Sequence, residues 1–166
     1  MMGQRMELKS TRSRFSIGTM IIGLAGAIVG ASASLPAVAQ NIPVYRGAVQ
    51  YPDFSGRDRA YANYRTRIVN EMRTGPNFAG RYAIVELGCG TGCSFVFVAD
   101  VSTGRVYNFP YGGEEYYMMS LSYGVKSNYI TAQWISDQNC VADDLMWNGT
   151  RFISQNRRVV GDSSRC

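Results

Sequence analysis

Gly88-Cys89-Gly90-Thr91-Gly92-Cys93 is a glycine-rich loop closed at each end by cysteine, and it stands between two runs that read as strands. Upstream, Arg81 to Leu87 alternates Tyr82, Ile84 and Glu86 against Ala83, Val85 and Leu87, the period of two that a half-buried strand requires. Downstream, Ser94 to Val101 is apolar at both parities through Phe95, Val96, Phe97 and Val98, which predicts a strand buried on both faces. Gly90 and Gly92 supply the backbone freedom that so tight a return needs. The hairpin they define sets the fold, because everything after it repeats the same punctuation.

Ser102-Thr103-Gly104 is a hairpin loop that returns the chain through Arg105 to Phe109. Pro110 to Glu115 is a loop loosened by Gly112-Gly113, and Tyr116–Ser122 and Tyr129–Ser136 follow as strands. Asn148-Gly149 predicts a type I′ hairpin between Asp144–Trp147 and Thr150–Ser154. With Thr150 it also forms a glycosylation sequon, which the turn alone accounts for.

On the other side of the opening loop, Gly75-Pro76-Asn77-Phe78-Ala79-Gly80 is a turn, with Phe78 expected to plug the junction of helix and first strand. Asp58 to Met72 predicts a helix, since Tyr61, Tyr64, Ile68 and Met72 recur at spacings of three and four while Arg59, Arg65, Arg67, Asn70 and Arg73 take other faces. Asp58 or Ser55 is placed to cap it, and Gly75-Pro76 stops it. The implied fold class is α+β: one N-terminal amphipathic helix packed on a mostly antiparallel sheet of about seven short strands, as a meander or small barrel.

Residues 40–56 read as an extended lead-in and 57–166 as a single disulfide-stabilised domain. Residues 1–39 have the pattern of a secretory signal peptide, with a basic start (Arg5, Lys9, Arg12, Arg14), an apolar run from Phe15 to Val29, and the small-x-small site Ala37-Val38-Ala39. The apolar run is too short for a stable membrane anchor. The expected location is therefore periplasmic or extracellular, after cleavage near Ala39. Removing this segment takes away four cations and Glu7 and leaves 13 basic and 11 acidic residues, a near-balance that points away from nucleic acid. Twelve of those 13 cations are arginine, the residue suited to stacking and bidentate contacts, with high-GC codon usage as the plainer cause.

The chain contains no histidine. That removes Ser–His and Cys–His nucleophile pairs, imidazole bases and nearly all mixed-ligand zinc sites. No catalytic residue, metal or cofactor is assigned. The four cysteines, Cys89, Cys93, Cys140 and Cys166, read first as disulfides in an exported chain. For the first pair three readings stand: a structural bridge, a redox pair, or a rigid loop presented to a partner. The strand after Cys93 weakens the redox reading, because low-pKa cysteines favour helix N-termini. Cys140 and Cys166 are expected to pair, closing a loop for which chain entropy gives about 3–4 kcal/mol. Glu114-Glu115 and Asp143-Asp144 read as solvated loop and edge carboxylates, since strand neighbours point to opposite faces. Glu86 is expected to meet Arg81 or Arg105 across the sheet.

Gly75 to Tyr82, Gly88 to Cys93 and Asp100 to Tyr107 together resemble a family of small exported bacterial proteins of uncharacterised function, with the pattern GPNFAGxY, GCGTxC and DxxTGxVY. Arg81 stands where that family often has histidine. The resemblance implies export and a one-domain fold. A looser likeness, Tyr82-Ala83-Ile84-Val85 followed by the Cys89–Cys93 loop and a strand, is to periplasmic inhibitors of vertebrate-type lysozyme, whose loop is one residue longer and contains histidine. The functional expectation is a non-enzymatic binding module for an unknown protein, such as a lysozyme, or for a cell-envelope component. Its candidate contacts are Gly90, Thr91, Gly92, Arg81 and Glu86. A thiol–disulfide redox protein and a structural envelope protein are the alternatives.

Overall fold

The structure, a computed structural model, describes residues 41–166. The expected signal segment lies outside the described residues. Seven strands form two antiparallel sheets. The first contains β1 (Tyr82–Gly90), β2 (Cys93–Asp100) and β3 (Val106–Asn108), and the second β4 (Tyr117–Ser122), β5 (Tyr129–Ser136), β6 (Asn139–Trp147) and β7 (Phe152–Asp162). Each sheet is a meander in chain order. In place of the expected meander or small barrel the strands form two sheets, the succession breaking after β3. Pro110 lacks a donor, and Gly112 and Gly113 take positive φ of 154° and 87°, so the chain leaves the first sheet there and crosses to the second.

β1 is apolar on both faces except at Glu86, and β2 is buried on both faces along Val96–Asp100. Tyr82, Ile84, Val96 and Val98 face the second sheet and meet Ile130, Ala132, Trp134, Val141, Leu145 and Trp147. Ala83, Val85, Leu87, Phe97 and Ala99 face the other way, onto Ile68 and Met72. The three-stranded sheet is thus the middle of three layers, between the helical segment and the four-stranded sheet.

The expected helix over 58–72 divides in two: a 3-10 turn, Arg59–Tyr64, then an α-helix α1, Arg65–Arg73. Packing explains the change of pitch. Three residues per turn bring Tyr61 and Tyr64 onto the same face, and both rings rest on Phe97, with centroids 5.3 and 5.0 Å away. Ile68 and Met72, four apart, then need α geometry to stay on that face. No side chain caps the start. Asp58 is buried instead, its carboxylate accepting from the backbone N–H groups of Asp53 (3.2 Å) and Val106 (3.3 Å) and pairing with Arg57 at 2.9 Å.

The lead-in has no regular structure but is bonded into the fold. The Tyr45 N–H donates to Gly80 O (2.7 Å), that of Gln50 donates to Val101 O (2.9 Å), and Tyr45, Val49 and Phe54 pack on the helix-side core. Gly80 has φ +76°, and a Cβ there would sit 2.3 Å from Pro43 O, so the lead-in can lie this close only over a glycine. Phe78 plugs a different junction from the one expected: fully buried, it lies between the two sheets, against Tyr82, Tyr123 and Phe152.

β6 and β7 extend beyond the runs Asp144–Trp147 and Thr150–Ser154. Asp137 takes the left-handed conformation (φ 54°) in a two-residue turn, Asp137-Gln138, between the paired Ser136 and Asn139. Two register shifts then keep β7 on β6 as far as Asp162. The turn at Asn148-Gly149 is not type I′, because only Gly149 has positive φ (99°). Trp147 pairs with Phe152 across a four-residue loop, and Asn148 Oδ1 accepts from the N–H groups of Thr150 (3.0 Å) and Arg151 (2.9 Å). The asparagine side chain shapes the turn together with the single positive-φ residue, Gly149.

Candidate functional site

All four cysteines are paired, Cys89 with Cys93 (Cα–Cα 5.1 Å) and Cys140 with Cys166 (5.3 Å). The first bridge sits at the free end of the β1–β2 hairpin. There Gly90 pairs with Cys93 across a bulge at Cys89, leaving Thr91-Gly92 as the turn. Gly90 and Gly92 take φ of 139° and 72°, the positions where the tight ring demands glycine. The bridge ties β1 to β2 beyond their last regular pair, and a strand rather than a helix follows Cys93.

This hairpin end does not stand free of the body. The Met118 N–H donates to Gly92 O at 2.7 Å, and the Tyr117 ring lies where a Cβ on Gly92 would be, 2.2 Å from that ideal position. The start of β4 therefore backs the loop. Met118 reaches this hydrogen bond in a left-handed conformation (φ 56°), at the register shift between Tyr117 and Ser120. On the outward side Cys89, Gly90 and Thr91 are exposed. Tyr117 and Met118 are 43% and 53% exposed, and Phe95, two residues beyond the bridge, is 39% exposed. The turn is uncharged and has large, partly exposed apolar side chains beside it.

The five candidate contacts do not converge on one place. Gly90, Thr91 and Gly92 form the tip. Glu86 lies along β1, exposed, accepting from the Tyr123 hydroxyl at 3.2 Å. Neither Arg81 nor Arg105 reaches it. Arg81 instead pairs with Asp100 Oδ2 at 3.3 Å and donates to the Tyr82 hydroxyl at 3.0 Å, and Arg105 lies over the Tyr107 ring at 5.9 Å. The expected cross-sheet pair at Glu86 is thus replaced by a tyrosine hydroxyl, and burial followed by the Glu86 charge pushes the Tyr123 phenol up to about 12. Arg81 is at the far end of β1, ~30 Å from the tip at the rise of an extended strand. It belongs to a separate hollow walled by Tyr82, Trp147 and Asn128.

The carboxylate pairs also resolve differently from each other. Glu114 and Glu115 are exposed. Asp143, expected to be solvated, is fully buried on the inner face of β6. Its Oδ2 accepts from the hydroxyls of Tyr111 (2.6 Å) and Ser154 (2.7 Å), while Oδ1 has no partner among the described residues. Burial and the hydrogen bond to Asp143 raise the Tyr111 phenol well above the usual tyrosine range. Asp144 points outward and joins a row across three strands, accepting from the Thr131 hydroxyl (2.8 Å) and Arg158 (2.6 Å). Strand alternation separates the two aspartates, and the longer reach of β6 puts Asp143 inside. Only the true start of that strand would have signalled its burial. Among the described residues no cluster of three or more cysteine and carboxylate groups has metal-ligand geometry. Nor is any described helix long and apolar enough to cross a membrane.

Compared with protein-family models, curated proteins and solved structures, the chain matches none.

Proposed function

We propose that the protein is an exported, non-enzymatic binding module that offers the tip of the β1–β2 hairpin to a protein partner. One observation carries this reading. The Cys89–Cys93 bridge and the Met118-to-Gly92 hydrogen bond hold an exposed Thr91 turn rigid beside the exposed Tyr117 and Met118 side chains. A surface ordered before binding loses little conformational entropy on association, and aromatic and methionine side chains are enriched at interface centres. Export is supported by the signal-like residues 1–39 and by two disulfides, which fit an oxidising compartment.

A narrow, neutral, exposed turn suits the cleft of an enzyme, and the loose likeness to lysozyme inhibitors makes a c-type lysozyme the first partner to try. Purified protein titrated against such a lysozyme is expected to slow it at stoichiometric amounts, with Thr91→Arg and Met118→Ala each weakening the effect. Full lysozyme activity under a large excess of the protein discards that partner. Retention on isolated sacculi would then move the partner from an enzyme to the envelope polymer itself.

A further inference from the structure

The helical layer carries a positive charge that the rest of residues 41–166 does not. Residues 57–73 hold five arginines against Asp58 and Glu71, whereas the remainder of 41–166 holds eight basic and nine acidic residues. Arg57 is neutralised by Asp58. Arg65 and Arg73 have no ion-pair partner among the described residues. Glu71, the one acid in α1, lies roughly 160° around the axis from Arg73 at ~100° per residue, where it accepts from Asn77 Nδ2 at 3.2 Å.

Arg65, Val69 and Arg73 recur every four residues and so share a flank. With Phe54, Thr66 and Asn70 they line a hollow of about 310 Å³. Its polar groups are disposed as donors. Among the described residues Arg65 spends only Nε, on Ala62 O (3.1 Å), and both terminal nitrogens are without a partner. Arg73 Nη1 donates to Asn70 Oδ1 (3.3 Å), occupying the acceptor of that amide and leaving its Nδ2 as a further donor. Phe54 and Val69 supply the apolar part of the lining, and no carboxylate is among the lining residues.

We propose that this hollow binds a phosphate ester, its oxygens held by Arg65 and Arg73 and its organic body resting on Phe54 and Val69. A set of donors with no competing carboxylate selects an anion with several acceptor oxygens. The planar guanidinium meets such oxygens two at a time. The ester could be a soluble metabolite or a lipid headgroup, which share this chemistry.

The test follows the side-chain N–H resonances of Arg65, Arg73 and Asn70 while inorganic phosphate or glycerol 3-phosphate is added at ionic strength matched with chloride. A parallel arm measures co-sedimentation with phosphatidylcholine vesicles with and without phosphatidylglycerol. Saturable shifts are expected, with Arg65→Gln and Arg73→Gln each weakening binding about tenfold or more. Arg67→Gln, outside the hollow, is expected to change little. Binding of glycerol 3-phosphate without vesicle capture identifies a small solute, and capture by phosphatidylglycerol vesicles in the same order of variants identifies a headgroup. The proposal is overturned if chloride gives the same shifts, if Arg67→Gln weakens binding as much as Arg65→Gln, or if neither glycerol 3-phosphate nor anionic vesicle binds. Far-UV circular dichroism of each variant separates lost binding from lost fold.

Discussion

Gly92 has φ +72°, and any side chain there would be driven into the Tyr117 ring. Two costs therefore add in Gly92→Ala: a left-handed backbone on a residue with a Cβ, and displacement of the aromatic that backs the loop. A loss of about 1–3 kcal/mol is expected in urea denaturation. Gly88→Ala makes the control, since nothing lies within 4 Å of its Cβ position and its φ is not positive. It is expected to stay within about 0.5 kcal/mol. Equal losses in the two variants would mean that the loop does not depend on its contact with β4. The need for glycine at 90 and 92 was legible in the sequence, because a short cysteine-closed ring allows little else. The contact with Tyr117 was not, since it joins residues far apart in the chain and no local pattern encodes it.

Across β5, β6 and β7 the outward row Thr131, Asp144 and Arg158 acts as one unit. The Thr131 hydroxyl is the largest influence lowering the Asp144 carboxyl below its ordinary value, and Arg158 and Asn156 add to it. A carboxylate whose pKa is lower in the folded protein stabilises it fully at pH values above its unfolded pKa of about 3.9. That contribution fades as pH falls from there through the lower folded value. Asp144→Asn is thus expected to flatten the acid limb of a stability–pH curve below about pH 4 while leaving the alkaline limb in place. An unchanged acid limb would show that the row is solvated and energetically idle.

At this scale the hairpin β1–β2 and the strand β5 follow from alternation and spacing, whereas four cysteines allow three pairings and the structure selects the expected one. The helical segment was legible as apolar stripe but not as pitch, because only the contact with Phe97 makes a three-residue turn preferable at Tyr61 and Tyr64. The length of β7 was hidden for a related reason. An edge strand exposed along most of its length carries polar residues, Gln155, Asn156, Arg157 and Arg158, which read as loop until β6 is known to lie beside them.

In the whole molecule the three-stranded sheet belongs to both hydrophobic cores. Neither outer layer can leave without stripping one face of β1 and β2. Unfolding is therefore expected to be a single transition, with Trp134 and Trp147 fluorescence reporting the sheet–sheet core and far-UV dichroism the secondary structure as a whole. Superimposable urea curves from the two probes are the expected result, with separated midpoints marking independent layers. Two separate sheets were not legible in strand spacing, which fixes how many hairpins there are but not where a Pro110-Tyr111-Gly112-Gly113 loop breaks their succession.

The middle sheet also has a consequence for the order in which the chain is delivered. A chain emerging N-terminus first completes α1 and β1–β3 while β4–β7 is still to come. During that interval Tyr82, Ile84, Val96 and Val98, later the floor of the larger core, face water on a half-built protein. The Cys89–Cys93 bridge can close at this stage, whereas Cys140–Cys166 must wait until β7 has emerged. The small ring at the hairpin tip is thus the first covalent fastening available, and it locks the register of the one hairpin on which both outer layers pack. A vectorial pulse-labelling experiment would find that ring formed in nascent chains too short to contain β4.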